Sequence, residues 1–181
     1  PARRGEADRA QLPPPLRHTP WIVANVTLDR RPEGSGAGLS WDNVIYGSET
    51  LGYVVANHQD LSPSGRACVL TYYWPLRGPD ADRLRERASS LSHHDVSARL
   101  LGELYRIHPE LVGAVRRMDV RVWGHGMACP APGFLARRER AATCLTPPIR
   151  WAHTDRSGLS VFEEAFALGH RAAQDVLAWV G

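Results

Sequence analysis

Asp155 is the residue whose type and setting most directly indicate chemistry. The apolar run 149–152 predicts a buried strand before it, and the sequence RSGL (156–159) predicts a turn after it. Ser160 and Glu163 match the S-x-x-E capping box, which predicts that a helix begins at Ser160. A carboxylate accepts hydrogen bonds strongly, and a helix N-terminus presents free backbone N–H groups and the positive end of its dipole. The pattern therefore indicates a site for an electron-rich ligand.

The same residues also have a purely structural interpretation. Asp155 could end the strand and brace the turn without touching a ligand. Glu163 and Glu164 favour the first turn of any helix, because acidic side chains interact well with the positive end of the dipole. The residues alone leave both interpretations open.

A resemblance to a known family favours the ligand site. Residues 149–177, IRWAHTDRSGLSVFEEAFALGHRAAQDVL, resemble the flavin-binding segment of FAD-dependent oxidoreductases of the flavin-containing amine oxidase group. Segments 41–59, 70–76 and 122–134 are similar to segments of bacterial members of that group, so the resemblance covers residues 21–177. It implies FAD as the cofactor and a small-molecule substrate of the amine class. The implied reaction oxidises a C–N or similar bond by hydride transfer to the flavin.

The resemblance also implies a role for each residue of the terminal motif. Asp155 would accept hydrogen bonds from the ribityl hydroxyls of FAD, and Gly158 would let the backbone pass close to the cofactor. The following backbone N–H groups would face the pyrimidine edge of the flavin, where a helix N-terminus favours negative charge by about 0.3–1 kcal/mol. The implied cofactor-binding residues are Asp155, Gly158, Leu159, Ser160, Val161 and Phe162.

His125 is the candidate catalytic residue. Gly124 and Gly126 flank it after an apolar strand, which predicts a loop, and the corresponding loop in the family approaches the flavin or the substrate. A histidine between glycines is also a common hydrogen-bonded turn residue, so that interpretation stays open.

The predicted strands further carry aromatic residues that could hold an amine by apolar contact and cation–π attraction. These are Trp41, Tyr53, Tyr72, Tyr73 and Trp74, of which about half must face the core because strand side chains alternate.

Other functional classes fit the sequence poorly. All 22 basic residues are arginines scattered among 19 acidic ones, which does not indicate a nucleic-acid-binding stripe. Adjacent His93 and His94 lack the i, i+4 spacing of a helical metal site, and His153, Asp155 and Ser157 are too close in sequence for a hydrolase triad. No apolar run approaches the ~20 residues of a membrane span and no signal peptide is recognised, so we predict a cytoplasmic protein without a membrane partner.

The order of predicted elements gives an α+β or α/β fold class. It consists of a mostly antiparallel substrate-domain sheet with flanking helices, plus the last strand and helix of an FAD-binding Rossmann-like domain. The predicted strands are 21–28, 44–46, 51–58, 67–74 and 119–125. A first predicted helix covers 84–91, a second starts near Ser92 or Asp95 and ends before Pro109, and a short helical piece covers 109–117.

The predicted organisation is a linker or arm at 1–20, a substrate domain at 21–148 and a flavin-binding strand–turn–helix at 149–181. No G-x-G-x-x-G follows a strand, so the resemblance implies that the dinucleotide fingerprint lies in an N-terminal half of the same enzyme, outside this chain. We therefore expect the chain alone to be inactive, to bind FAD weakly or not at all, and to associate. The alternative is a non-catalytic module that binds a ligand or peptide on an aromatic sheet face.

Overall fold

An antiparallel β-sheet organises the part of the chain that the structure describes. A computed structural model of the chain describes residues 16–34, 36, 38–59, 67–136 and 150–180. Within these ranges five strands form one sheet in the order β2-β3-β4-β1-β5. The strands are β1 (Arg17–Leu28), β2 (Asp42–Asn43), β3 (Tyr53–Val55), β4 (Cys68–Pro75) and β5 (Val115–Cys129). The predicted mostly antiparallel sheet is confirmed, and with its helices it makes the fold α+β.

The register of the central strands follows from their apolar alternation. Strands β1 and β4 pair antiparallel, from Trp21 opposite Pro75 to Leu28 opposite Cys68. Within this paired stretch the even-numbered residues of both strands are buried. Odd-numbered residues from Trp21 to Thr27 and from Val69 to Tyr73 lie on the other face and are less buried. A single period-2 pattern therefore buries one face of the sheet and leaves the other open.

Two predicted strands are absent or shorter than predicted. No strand covers 44–46, where Val44 is 74% and Tyr46 101% exposed, because β2 pairs with β3 over only two residues before a turn at Gly47. The predicted strand 51–58 shortens to β3 and continues as the 3-10 turn Ala56–Gln59. Strand β1 begins at Arg17, inside the predicted arm 1–20, and residues 1–15 lie outside the described ranges.

Two helices follow the strands where the periodicity predicts them, α1 (Ala81–Ser90) and α2 (His93–Ile107). The Asp80 side chain accepts hydrogen bonds from the amides of the first turn of α1, and Ser92 and Asp95 form a full capping box on α2. The predicted helical piece 109–117 is only the 3-10 turn Pro109–Leu111. It stops there because Gly113 adopts a left-handed φ of +78° and β5 begins two residues later.

The main hydrophobic core lies between one face of the sheet and these helices. Its strand residues include Ile22, Val26, Leu70 and Tyr72, and its helix residues are Ala88, Val96, Leu100 and Leu104. Cys68 is buried in the same core, as its strand-like surroundings predict.

The chain divides into two compact units, and the division falls within β1 and within β5. The central unit is Thr19–Gly126 and contains the core just described. The terminal unit joins the described residues up to His18 to those from Met127 onward, and it contains a third helix, α3 (Phe162–Val180). Phe134, Leu168 and Ala172 are its buried apolar residues. The domain boundaries at 20/21 and 148/149 stay predictions.

Candidate functional site

The segment that carries Asp155 is a turn, and the predicted strand at 149–152 is wrong for residues 150–152. No strand is assigned there, Trp151 is exposed, and Ile149 lies outside the described residues. The chain instead forms the 3-10 turn Thr154–Arg156, closed by local backbone hydrogen bonds of 2.9–3.1 Å. These bonds satisfy amides that a strand would have to pair with a neighbour. The Rossmann-like final strand is therefore not confirmed.

Asp155 is held by two histidines of the terminal unit. Its Oδ1 lies 3.0 Å from His18 Nε2 and 3.3 Å from His153 Nδ1, and its side chain is 30% exposed. The Asp155 amide donates to His153 Nδ1 at 3.1 Å, so that nitrogen acts as an acceptor and His18 is the ring that donates to the carboxylate. Among the described residues Oδ2 has no partner. The carboxylate thus braces the turn through one oxygen and presents the other.

His18 is a site residue that the sequence does not indicate. It lies 137 positions from Asp155, inside the segment predicted as an arm. No local pattern links two residues at that separation, and the imidazole reaches the carboxylate because the first residues of β1 belong to the terminal unit.

Gly158 makes the close approach expected of it, but the group it approaches belongs to the protein. Its φ of +73° lies in the left-handed region, and a Cβ at this position would stand 2.8 Å from Phe134 Cε1 and 2.8 Å from Pro130 Cγ. The glycine therefore lets the turn close over the Phe134 ring, which is buried in the terminal unit.

Helix α3 begins at Phe162, two residues later than predicted, and the predicted capping box is wrong. The Ser160 hydroxyl instead accepts a hydrogen bond from the Ala128 amide at 3.0 Å. The first helical bond runs from Ala165 N to Val161 O, so the amides of residues 162–164 have no partner within the helix. Val161 precedes the helix and has no side-chain oxygen with which to cap it.

Of residues 159–162, which are expected to face a flavin, only some have backbone N–H groups that remain for a ligand. The Leu159 amide donates to Ser157 Oγ at 3.3 Å and the Val161 amide donates to Leu159 O at 2.9 Å, so both are used within the turn. The side chains of Leu159, Val161 and Phe162 are exposed. Among the described residues no side chain caps the start of α3, which is surrounded by exposed apolar side chains and is close in sequence to Asp155.

His125 lies in β5 and not in a loop, so the loop prediction is wrong. The strand continues to Cys129, and burial alternates along it so that His125 is exposed and points away from the core. A Cβ on Gly126 would stand 2.7 Å from the Trp21 side chain, which gives this glycine a packing reason inside a strand. His125 belongs to the central unit and Asp155 to the terminal unit.

The structure separates the aromatic residues of the central unit into two sets. Tyr53, Tyr72 and Trp74 are buried core residues. Tyr73 lies on the opposite face of the sheet, where its ring meets Trp21 edge-to-face at 6.2 Å. Trp123, which sequence reasoning passed over, is exposed and lies at an outward position of β5. We call Trp21, Tyr73 and Trp123 the open aromatic face.

No group of three or more His, Cys, Asp or Glu side chains in the described ranges could hold a metal ion. None of the helices described there is both long and apolar enough to cross a membrane.

Comparison with known proteins adds no assignment. No protein-family model matches the sequence, and no curated protein matches it.

Proposed function

We propose that the chain is the C-terminal portion of an FAD-dependent oxidoreductase of the amine oxidase type. The observation that carries the proposal is the exposed, uncapped start of α3, which follows Asp155 in the terminal unit. This arrangement supports binding of an extended ligand that has hydroxyl groups and an electron-poor ring. FAD, when bound, would supply the hydride acceptor for oxidation of a C–N bond.

Different residues of the terminal unit would bind different parts of FAD. Asp155 Oδ2 would accept a hydrogen bond from a ribityl hydroxyl, since Oδ1 is already paired with His18. The amides of residues 162–164 would hold negative charge on the pyrimidine edge, because no side chain of the described residues caps them and the helix dipole adds to their effect. The exposed side chains of Leu159 and Phe162 would exclude water from the ring.

The substrate would be held in the central unit by the open aromatic face. Trp21, Tyr73 and Trp123 offer ring surfaces on which an ammonium group gains about 0.5–2 kcal/mol by cation–π attraction, depending on its desolvation. His125 lies on the same outward positions of β5 as Trp123, two residues away. It would act as the proton-transfer group nearest to such a substrate.

The outer face of α3 is the surface on which we propose that the N-terminal half of the same enzyme packs. Phe162 is 77% and Phe166 68% exposed although they stack on each other at 6.2 Å. Leu177 is exposed on the same side of the helix, and small Gly169 and Ala173 lie between. A dinucleotide-binding half would cover this face, since an apolar stripe of this kind normally lies against another element.

Substitution of Asp155 tests the cofactor role. In the complete enzyme, Asp155→Ala should weaken FAD binding by about 1.5–3 kcal/mol, the range for hydrogen bonds to charged groups. This corresponds to about a ten- to hundredfold rise in Kd, measured by flavin titration. The matched control is Asp175→Ala in the same unit, whose carboxylate lies 3.5 Å from Arg150 Nε. It should leave the FAD Kd unchanged.

Thermal unfolding without flavin separates this role from bracing alone. His18→Ala removes the partner of Oδ1 and leaves Oδ2, so it reports the bracing contribution. If Asp155 only braces the turn, Asp155→Ala and His18→Ala will lower the Tm equally and neither will change the FAD Kd. An unaltered Kd in Asp155→Ala contradicts the proposal.

The exposed face of α3 predicts association of the 181-residue chain. Replacing Phe162 and Phe166 together by serine should weaken self-association at least about tenfold, because burial of one large apolar side chain contributes about 1.5–3 kcal/mol. Sedimentation velocity measures the change. The control is Trp41→Ser, which removes an equally exposed aromatic side chain from the central unit. A monomeric parent chain, or an equal effect of the control, would contradict the assignment of this face.

A second candidate function rests on the open aromatic face alone. A non-catalytic module could use Trp21, Tyr73 and Trp123 to bind a cationic ligand without any flavin. The visible absorption spectrum of the complete protein distinguishes the two functions. Flavin bands in the purified protein favour the oxidoreductase, and amine binding without flavin favours the module.

A further inference from the structure

A surface cavity of the central unit lies where β4 ends. Its volume is about 320 Å³, which is at the lower end of the range for small-molecule sites. The floor is apolar, because Trp74 and Leu76 are buried and Pro75 lies between them. The rim consists of Ser48 and Glu49 from the connection between β2 and β3, Arg77 after β4, and Arg87 from α1.

The charges on this rim are unbalanced. Glu49 is already paired with Arg99, at 2.9 Å, and the Arg99 guanidinium lies over the Trp74 ring at 4.9 Å from its centroid. By contrast, neither the Arg77 nor the Arg87 guanidinium has a hydrogen-bonding or ion-pairing partner among the residues that the structure describes; the Arg87 carbonyl accepts from Ser90 Oγ. The cavity therefore presents two positive charges that the described residues do not pair.

The hydroxyl on the rim is also committed. Ser48 donates to Glu103, and the same oxygen accepts the Thr50 amide at 3.0 Å. The Glu103 carboxylate accepts from Thr50 Oγ1 as well, at 2.6 Å, so both of its oxygens accept from hydroxyl groups. The two guanidinium groups are thus the side-chain hydrogen-bond donors of the rim that remain for a ligand.

We propose that this cavity binds a small carboxylate that carries a compact apolar body. A planar guanidinium matches a carboxylate with two parallel hydrogen bonds, and two arginines on one rim can share its two oxygens. The floor of Trp74, Pro75 and Leu76 gives the apolar body a surface from which water is displaced. A bare phosphate would use the arginines but not this floor, so it should bind more weakly. The site is independent of the proposed flavin site.

Titration of the 181-residue chain with benzoate tests the proposal. Amide resonances of residues 48–49 and 76–77 should shift together in a two-dimensional NMR spectrum, with a single Kd. Arg77→Gln and Arg87→Gln should each raise that Kd about three- to tenfold, because each removes one charge-assisted interaction at a partly exposed site. The double variant should show no saturable binding. The NMR spectra also show whether each variant is folded.

Arg121→Gln is the matched control, since it removes the same charge from β5, outside the cavity. It should leave the Kd of benzoate unchanged. Benzyl alcohol has the apolar body without the carboxylate, and inorganic phosphate has negative charge without the apolar body. Each should bind at least about threefold more weakly than benzoate. Equal binding of either probe, equal effects of the control variant, or shifts confined to other residues would overturn the proposal.

Discussion

Replacing Gly52 by alanine should lower the free energy of unfolding of the central unit by about 3–6 kcal/mol. Gly52 has a φ of +85°, and a Cβ would stand 1.9 Å from the carbonyl oxygen of Asn43, a backbone atom of β2. A left-handed non-glycine residue costs about 1–3 kcal/mol, and forced displacement of packed atoms costs a similar amount. The displacement would also disturb the hydrogen bond from Tyr73 N to Gly52 O, at 3.2 Å, which fixes this edge of the sheet.

Gly47→Ala is the matched control for this prediction. Gly47 has a similar φ of +74°, but nothing lies within 4 Å of the Cβ position. Only the backbone conformation is then disfavoured, at a cost of about 1 kcal/mol. Urea denaturation followed by circular dichroism measures both variants. Equal losses would mean that the edge of the sheet rearranges freely around Asn43.

The elements that the sequence predicts well are those specified by neighbours along the chain. Helices α1 and α2 have local caps, Asp80 and Ser92, and their apolar residues recur with the helical period. Strands β1 and β4 alternate between buried and less buried positions from Thr19 to Leu28 and from Cys68 to Trp74. Each of these signals lies within one turn or one strand, so pattern and structure agree.

The failures occur where a distant partner decides the conformation. Residues 44–46 and 150–152 belong to segments apolar enough for strands, but a strand forms only where another strand offers its hydrogen-bonding groups. His125 has the sequence neighbours of a loop residue, yet Gly126 is required by the Trp21 side chain of another strand. The residues next to each of these segments in the sequence do not show which distant strand or side chain it will meet.

The candidate site shows the same division. The sequence predicts that Asp155 and Gly158 are special, because a carboxylate and a glycine in one turn are recognisable locally. It does not predict that His18 pairs with Asp155 or that Phe134 fills the space beside Gly158. It also misplaces the start of α3, because Ser160 bonds to Ala128 in another element and not to its own helix.

Two neighbouring tyrosines of the core should respond in opposite ways when their hydroxyl groups are removed. Tyr53 and Tyr72 lie opposite each other in β3 and β4, with ring centroids 5.4 Å apart, and both are fully buried. The Tyr53 hydroxyl lies 2.6 Å from His108 Nε2, whose Nδ1 lies 3.1 Å from Glu110 Oε1. The Tyr72 hydroxyl has no hydrogen-bond partner among the described residues.

The direction of the hydrogen bond follows from the protonation of the two groups. Burial raises the pKa of Tyr53 to about 12, with smaller contributions from Cys68 and Glu110, so the phenol keeps its proton at neutral pH. The imidazole of His108 can donate from Nδ1 to Glu110, which leaves Nε2 to accept from Tyr53. Burial likewise raises the pKa of Tyr72 above its ordinary value. Both hydroxyls are neutral, and among the described residues only that of Tyr53 has a hydrogen-bond partner.

Tyr53→Phe should therefore destabilise the central unit by about 1–3 kcal/mol, because it leaves His108 Nε2 buried without its donor. Tyr72→Phe should stabilise it by about 1–2 kcal/mol, since it removes a buried polar atom whose desolvation no hydrogen bond offsets. Urea denaturation of both variants at neutral pH measures the difference. Tyr46→Phe, at a fully exposed position, is the control and should change stability by less than about 0.5 kcal/mol. A loss of stability in Tyr72→Phe would contradict this account and show that the Tyr72 hydroxyl has a partner in solution.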